Sequence, residues 1–419
     1  MRAFVLVMCA GLAAVPVGAQ TPATCPAPSQ VAHGLQQPRA AVRYLADDAL
    51  EGRLAGSAGE RCAGDYLARE FRRIGLAPAG DSGTYYQSLS VASIVNPHAA
   101  PGTGRNVVGI LRGKGSGSTV VVVGAHYDHL GRGPFGSLAP DDVGAVHHGA
   151  DDNASGVAAL LEVAQRLKKH RPAVSVVFVA FTGEEEGLLG SRYYAAHPAV
   201  PLGDTRAMVN MDMVGRLGSQ PLLVFGTGTA DEWDGILRGA DTDSLQLKET
   251  PDGYGASDHT SFYEKDIPVL HFFTNVHGDY HKPSDTWDKL DYSGIERVSA
   301  MVARVVDSVA NRRMGLTLRR GVGKPPGQGA GGYGAYLGTV PDFTPVEKGV
   351  RISSVRAGSP AEKAGLRGGD VIVAFDDTEI KDLQGMTDGL RARKPGDGVR
   401  ITVLRDGQAV TMTAVLGKR

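Results

Sequence analysis

Residues 119–129 read TVVVVGAHYDH, and this stretch decides the fold class. A threonine and four valines form a continuous β-branched run, which is typical of a strand buried on both faces of a sheet. The run ends in Gly-Ala, and polar residues follow at once: His126, Asp128 and His129. The stretch therefore predicts a central strand with titratable side chains directly after it.

Similar apolar runs recur along the chain and alternate with segments of helical periodicity. The predicted strands are residues 107–111, 119–123, 174–181, 207–211, 222–225 and 267–273, and the predicted helices are residues 39–50, 60–74, 155–169 and 292–313. Continuous Val/Ile/Leu runs between helices indicate strands of a largely parallel sheet. We therefore predict an α/β fold with a mixed, largely parallel sheet flanked by helices.

The composition is that of a folded protein with balanced charge. Among 419 residues, 42% are apolar and 21% are charged, and 44 Lys plus Arg face 45 Asp plus Glu. A balanced chain has no overall field to hold a polyanion, so we expect no nucleic-acid partner. The length predicts one large domain and one smaller domain.

The N-terminus has the pattern of a secretory signal peptide. Arg2 precedes an apolar run, residues 3–17, and small residues end at Ala19. We expect residues 1–19 to be a signal peptide, the mature protein to be periplasmic or secreted, and no membrane span to remain after cleavage; an uncleaved anchor is the alternative. Removal of the signal leaves Cys25 and Cys62, which predicts one disulfide, with two free thiols as the alternative.

Polar residues at the predicted strand ends indicate a metal site. His126 follows one strand, the Glu184–Glu186 run another and Asp212 a third, while His281 lies in the loop after residues 267–273. The carboxyl ends of parallel strands share one edge of a sheet, so these side chains are expected to converge. Imidazole and carboxylate without thiolate suit catalytic zinc, and the set exceeds what one zinc needs. Two ions that share one carboxylate fit the set better.

These segments, in this order over residues 31–313, resemble metallopeptidase family twenty-eight, the co-catalytic zinc aminopeptidases with a zinc-dependent exopeptidase fold. The resemblance implies two Zn²⁺ per chain and a ligand for each of five motifs. It places His126 and Asp212 on one zinc and Glu185 and His281 on the other. Asp151, in the sequence GADDNASG at 149–156, would bridge the two ions.

The resemblance also implies three catalytic roles. Glu184 would be the general base, Asp128 would hold the second ring nitrogen of His126, and Tyr254 would donate to the developing oxyanion. Some relatives place linked cysteines on both sides of this tyrosine, where the present sequence has Asp252 and Ala256.

The other histidines have no ligand role in this pattern. We interpret them as hydrogen-bonded surface or core residues, namely His147, His148, His170 and His197. His129 and His259 lie near the expected site in the sequence, and the resemblance gives them no function.

The C-terminal part resembles the permuted PDZ domains of bacterial exported proteases. A Gly/Pro-rich stretch at 314–332 predicts a linker. Beyond it, residues 333–419 contain the motifs YLGT at 336–339, GSPA at 358–361 and LRGGDVI at 366–372. The resemblance implies that Tyr336, Leu337, Gly338 and Thr339 capture peptide C-termini, with the peptide added as a strand. A purely structural appendage is the alternative.

The signal-like N-terminus and the resemblance to the zinc aminopeptidases together predict an exported di-zinc aminopeptidase that acts on peptide substrates through water activated by metal and by Glu184. A glutaminyl-cyclase-like acyltransferase on the same scaffold, with one zinc, is the first alternative. Carboxypeptidase or dipeptidase activity and a catalytically inactive peptide-binding protein remain open as well. Metal content per chain separates the cyclase from the peptidase.

Overall fold

The structure is a computed structural model that describes residues 25–27, 37–91, 102–133, 136–139, 141–323, 335–342, 344, 346–356 and 358–418. The predicted signal peptide, residues 1–19, lies outside these residues. Two sheets with separate hydrophobic cores form two domains. No helix in the described ranges has both the length and the apolar composition needed to cross a membrane.

The strands and helices of the first domain follow one another along most of the chain. Its strands are β1 (Ala77–Pro78), β2 (Tyr86–Val91), β3 (Gly102–Leu111), β4 (Val120–His126), β5 (Ser175–Phe181), β6 (Thr205–Met211), β7 (Leu222–Phe225), β8 (Leu247–Thr250) and β9 (Val269–Phe273). Its helices are α1 (Arg39–Leu45), α2 (Ala58–Ile74), α3 (Gly156–Lys169), α4 (Leu189–Ala196), α5 (Trp233–Ala240), α6 (His259–Tyr263) and α7 (Tyr292–Asn311).

These strands form one mixed sheet in the order β1-β3-β5-β4-β6-β9-β7-β8, with β2 paired to β3. The centre, β5-β4-β6-β9, is parallel. The pairs of β3 with β5 and of β7 with β9 are antiparallel. This confirms the predicted fold class.

Helices cover both faces of the sheet because its central strands are apolar on both sides. In β4, Val121 and Val123 pack with α2, α3 and α7 into one core, whereas Val120 and Val122 join a second core with α6 on the opposite face. Alternate side chains of a strand point to opposite faces, so a run of valines serves both cores. The sheet is therefore fixed between two layers, and its strand ends are the surface on which a site is built.

The N-terminal segment is joined to α2 by a disulfide. Cys25 and Cys62 are bonded, with their Cα atoms 5.3 Å apart. The predicted pairing is confirmed. At the other end of the domain, part of the predicted linker is fixed to the domain: Leu318 forms a β-bridge with Ala230, and the Val322 amide donates to the Tyr263 hydroxyl at 2.9 Å.

The second domain is a small antiparallel sheet with two helices. Its elements are β10 (Thr339–Pro341), β11 (Val350–Val355), α8 (Pro360–Ala364), β12 (Val371–Phe375), β13 (Thr378–Glu379), α9 (Leu383–Arg391), β14 (Gly398–Arg405) and β15 (Gln408–Val415). The strand order is β10-β11-β12-β14-β15, with β13 paired to β12. Its own buried cluster, which includes Ile352, Phe375 and Ile401, gives it an independent core.

Candidate metal centre and catalytic pocket

The parallel centre of the sheet brings the predicted strand-end residues to one edge. His126 is the last residue of β4 and pairs with Phe181, the last residue of β5. Glu184 and Glu185 follow β5 by three and four residues, and Asp212 directly follows β6. The convergence expected from the topology is therefore present.

Asp152 lies between two imidazoles. Its Oδ1 is 3.3 Å from His126 Nε2, and its Oδ2 is 3.1 Å from His281 Nε2. Each imidazole has a second carboxylate beside it: Asp212 Oδ1 is 3.3 Å from His126 Nε2, and Glu185 Oε2 is 3.3 Å from His281 Nε2. Asp152 thus belongs to two groups, each of which contains one imidazole and two carboxylates.

The central position of Asp152 corrects the sequence prediction, which gave this place to Asp151. Asp151 points away from the site: its Oδ1 accepts from the Gly215 amide at 2.7 Å, and its Oδ2 is 3.2 Å from His277 Nε2. Residues 150–155 form an irregular turn before α3, in which Asp152 has φ −104° and ψ 92°. In such near-extended backbone, consecutive side chains point to opposite sides. Only one of two adjacent aspartates therefore faces the imidazoles.

His129 is a third imidazole beside this centre. Its Nδ1 is 2.8 Å from Glu185 Oε1 and 3.9 Å from Asp152 Oδ2. His281 is better placed than His129 to be a metal ligand, because its Nε2 faces Asp152 and Glu185 at nearly equal distances, as His126 Nε2 faces its two carboxylates. His129 instead contacts Glu185 Oε1, which leaves Glu185 Oε2 directed at His281.

Hydrogen bonds at the second ring nitrogens orient both imidazoles. His281 Nδ1 is 2.9 Å from the Gly136 carbonyl oxygen. His126 Nδ1 is 3.3 Å from the carbonyl oxygen of Asp128 and 3.7 Å from its Oδ1. In a neutral imidazole that carries its proton on Nδ1, the lone pair of Nε2 faces the carboxylates. The Asp128 carboxylate also accepts from the Glu184 amide at 3.2 Å, so it joins the loops that carry His126 and Glu184.

The spacing of these atoms fits zinc. At a zinc–ligand distance of about 2.1 Å, neighbouring ligands of a tetrahedral ion are separated by roughly 3.4 Å. The distances from His126 Nε2 to Asp152 and Asp212, both 3.3 Å, agree with that separation, as do those from His281 Nε2 to Asp152 and Glu185, 3.1 and 3.3 Å. The donor set, nitrogen and oxygen without thiolate, is that of a catalytic zinc.

The electrostatic field in the site favours positive charge. Burial lowers the pKa of His126 and of His281, but the negative charges of Asp212 and Glu185 outweigh it and leave both pKa values well above the ordinary value. Burial raises the pKa of Asp152, yet the neighbouring imidazoles reverse this and hold it well below the usual range. A divalent cation would meet this same field.

Glu184 is a buried carboxyl group with a raised pKa beside the centre. Burial raises its pKa well above the ordinary value, and the charges of Glu185 and Asp212 add to this while His126 opposes it. A carboxyl group of raised pKa near the site is suited to proton transfer at neutral pH.

Three supporting residues were missed by the sequence analysis. Ser257 donates to Asp212 Oδ2 at 2.9 Å. The buried Arg53 donates to the carbonyl oxygens of Tyr127 and Gly149 at 2.8 and 2.9 Å, and so ties the two loops that carry the site. Asp285 Oδ2 accepts from the Asp152 amide at 3.1 Å. No local sequence signal marks such residues, because each acts through a distant backbone or side chain.

A pocket of about 680 Å³, named here the catalytic pocket, opens beside the centre. Tyr254 and Glu184 both line it. The Tyr254 ring packs edge-on against Tyr263 at 4.9 Å, and the Tyr254 amide donates to Asp252 Oδ1 at 2.8 Å. Tyr254 is therefore held in place without flanking cysteines, and it lines the same cavity as the carboxylates of the centre.

The predicted peptide-binding residues of the second domain lie at the start of β10. Tyr336 forms a β-bridge with Gly417, and the carbonyl oxygen of Leu337 accepts from Ala361 at 2.9 Å. Gly338 has φ 88°, a left-handed conformation that favours glycine. Thr339 pairs with Val355 in β11. Capture of a carboxylate by this loop stays a prediction.

Two curated proteins are similar to this chain over about half of its length. Aminopeptidase YwaD of Bacillus subtilis is 29% identical over 235 residues, which cover 52% of this chain and 48% of that protein. The probable leucine aminopeptidase 2 of Aspergillus oryzae is 31% identical over 215 residues, covering 49% of this chain and 39% of that protein. The chain thus spans about half the length of these relatives or less.

Solved structures share the fold of the first domain. A Zn-dependent exopeptidase from Parabacteroides distasonis superposes with a TM-score of 0.54 at 20% identity, over 65% of this chain and 97% of that chain. A glutaminyl cyclase from Bacteroides thetaiotaomicron gives 0.53 at 19% identity, over 64% and 96%. At such identities the likeness concerns the fold alone.

Two family matches cover the two domains separately. Residues 106–306 match peptidase family M28, and residues 336–416 match the PDZ domain. Both resemblances seen in the sequence are confirmed. The chain therefore carries a peptidase domain of family M28 followed by a PDZ domain.

Proposed function

We propose that the protein is an exported aminopeptidase that holds two zinc ions and releases the N-terminal residue of peptides. The observation that carries the proposal is the Asp152 carboxylate, whose two oxygens each face a different imidazole at 3.3 and 3.1 Å. One carboxylate between two such groups suits a pair of ions about 3.5 to 4 Å apart. The family and the names of the relatives agree with this chemistry.

The proposed ligands fall into two sets that share Asp152. His126 and Asp212 complete one set, and His281 and Glu185 complete the other. When bound, the zinc pair would lower the pKa of a water molecule and polarise the scissile carbonyl group.

The protein's own groups would then move the proton and position the substrate. Glu184 takes the proton of the attacking water and returns it to the leaving amine. The Tyr254 hydroxyl donates a hydrogen bond to the carbonyl oxygen as negative charge develops there. Asp128 and Ser257 keep His126 and Asp212 in their orientations.

The relatives support action at the amino end of a peptide: one is named an aminopeptidase and another a probable leucine aminopeptidase. Export is supported by the signal-like N-terminus and by the Cys25–Cys62 disulfide, since disulfides persist in oxidising compartments.

A glutaminyl-cyclase-like activity is the second candidate, because a solved glutaminyl cyclase shares the fold. That reaction needs one zinc and an N-terminal glutamine. Two complete ligand sets around Asp152 favour the peptidase.

The test compares four substrates with the full chain, with and without added zinc. We expect two zincs per chain, hydrolysis of aminoacyl p-nitroanilides, no hydrolysis of their N-acetylated forms or of N-blocked peptides, and no cyclisation of a peptide that begins with glutamine. One zinc with cyclisation would replace the proposal by the cyclase. Zinc binding without any turnover would indicate an inactive binding protein.

A further inference from the structure

The catalytic pocket is not confined to the peptidase domain. Its lining includes Glu184 and Asp212 from the peptidase domain, and Asp382, Leu383 and Thr387 from the PDZ domain. Asp382 is the N-cap of α9, where its Oδ1 accepts from the Gly385 amide at 2.7 Å. The first turn of a PDZ helix thus forms part of the wall.

The floor of the pocket is one face of the sheet. His271 in β9 pairs with Phe225 in β7, and Phe225 pairs with Thr250 in β8. Directly paired residues share a face, and all three line the pocket. At about 4.8 Å per strand, the three steps from β6 to β8 span roughly 14 Å. The pocket therefore extends from the metal centre outward across β9 and β7.

A polar contact between the domains keeps the PDZ residues of the lining beside this face of the sheet. The Asn275 side-chain amide donates to Asp342 Oδ1 at 2.7 Å and to Thr344 Oγ1 at 2.9 Å. Asn275 follows β9, next to the pocket-lining Val276. The contact joins the loop after β9 to the segment after β10, so it fixes the PDZ domain beside the pocket.

The outer part of the pocket combines apolar walls with two carboxylates. Phe225, Phe273 and Leu383 supply apolar surface, and Asp252 and Asp382 supply carboxylates from different domains. Burial raises the pKa of Asp252, and the charge of Asp382 raises it further. Both carboxylates line the same cavity, so a cation between them would relieve their mutual repulsion.

The described lining contains no lysine or arginine to supply that cation. His259, which is 1% exposed, also lines the pocket, and neither of its ring nitrogens has a hydrogen-bond partner among the described residues. Burial lowers the pKa of His259 to about 3, so its imidazole is neutral, with one acceptor nitrogen and one N–H donor. Among the described residues of the outer part, the charged groups are thus the carboxylates of Asp252 and Asp382.

We propose that this outer part receives the side chain of the substrate's first residue and selects a long basic side chain, lysine or arginine, and that Asp382 makes the PDZ domain part of this selection. The proposal rests on the aminopeptidase function. The aliphatic part of the side chain would lie against Phe225 and Phe273, and its cation would lie between Asp252 and Asp382. Lysine and arginine commonly pack in this way, with the stem on an apolar surface and the charged end among polar groups. A volume of about 680 Å³ accommodates such a residue.

The test measures binding of L-lysinamide and L-norleucinamide to the zinc-loaded full chain by calorimetry. The two amides have side chains of equal carbon number and differ in the terminal ammonium. We expect lysinamide to bind roughly tenfold more tightly, the gain of two partly exposed ion pairs. Asp382→Asn should reduce that preference about threefold and leave norleucinamide unchanged, since asparagine still caps the helix.

Two further variants separate charge from domain position. Asp388→Asn, on the exposed part of α9, removes the same charge away from the pocket and should keep the preference. Asn275→Asp replaces two donated hydrogen bonds by repulsion from Asp342, so it should lower the preference as Asp382→Asn does.

Equal affinity for both amides in the unaltered protein, or no binding of either, would overturn the proposal. So would a preference that neither Asp382→Asn nor Asn275→Asp changes. Hydrolysis of lysyl p-nitroanilide is measured in parallel. A lysine preference in binding without any turnover would overturn the peptidase function and leave the selection by Asp382 standing.

Discussion

Exchange of Asp152 for asparagine is the sharpest test of the metal centre. The carboxylate has two acceptor oxygens, at 3.3 Å from His126 Nε2 and 3.1 Å from His281 Nε2. Asparagine keeps one acceptor and replaces the other by an NH₂ donor, so one ligand set stays complete and the other loses its third ligand. Loss of a partner that merely orients a ligand costs about 10- to 100-fold in metal affinity. Loss of the ligand itself should exceed this.

We therefore expect zinc in Asp152→Asn to fall from two ions per chain to at most one. Asp151→Asn is the matched control, because its retained oxygen still accepts from the Gly215 amide and it should keep both zincs. The assay is zinc per chain by mass spectrometry after dialysis against buffered zinc, with thermal unfolding to verify that both variants fold. Two zincs in Asp152→Asn, or loss of zinc in Asp151→Asn alone, would refute the assignment and restore Asp151 as the bridge.

Two other predictions concern the base and the disulfide. Glu184→Gln should keep two zincs while turnover of aminoacyl p-nitroanilides falls by about 10² to 10⁴; unchanged turnover would remove Glu184 from the role of base. Joint replacement of Cys25 and Cys62 by serine opens a loop with a sequence separation of 37 residues, and chain entropy sets an upper estimate of roughly 4 kcal/mol for the loss in free energy of unfolding. Identical guanidinium unfolding curves with and without the bond would contradict that expectation.

Much of the centre follows from the sequence because it depends on topology. A polar residue directly after a buried parallel strand lies at a fixed edge of the sheet. His126 ends a central strand, Glu184, Glu185 and Asp212 follow central strands, and the structure brings all four into the site. Periodicity also located the central strands, although β4 extends to His126, beyond the predicted end at residue 123. The valine run predicts where a strand is, and its pairing with β5 determines where it ends.

The choice between Asp151 and Asp152 does not follow from the sequence. Both are aspartates in one irregular turn, and both amides donate to Asp285 Oδ2, at 2.8 and 3.1 Å. Their backbone dihedral angles decide which side chain faces the imidazoles, and those angles depend on contacts with Gly215 and His277 far along the chain. A sequence motif specifies the residue types in a turn, whereas the direction of each side chain depends on tertiary contacts.

The contact of the PDZ domain with the catalytic pocket did not follow from the sequence. A Gly/Pro-rich stretch predicts a linker and therefore a domain with little contact, yet Asn275 holds the segment after β10 and Asp382 lines the catalytic pocket. Small polar contacts of this kind contribute little to stability, but they determine which side chains reach a cavity. The proposed selection by Asp382 would let a domain that contributes no proposed metal ligand set the choice of substrate, because selectivity depends on the wall of the pocket and turnover depends on its centre.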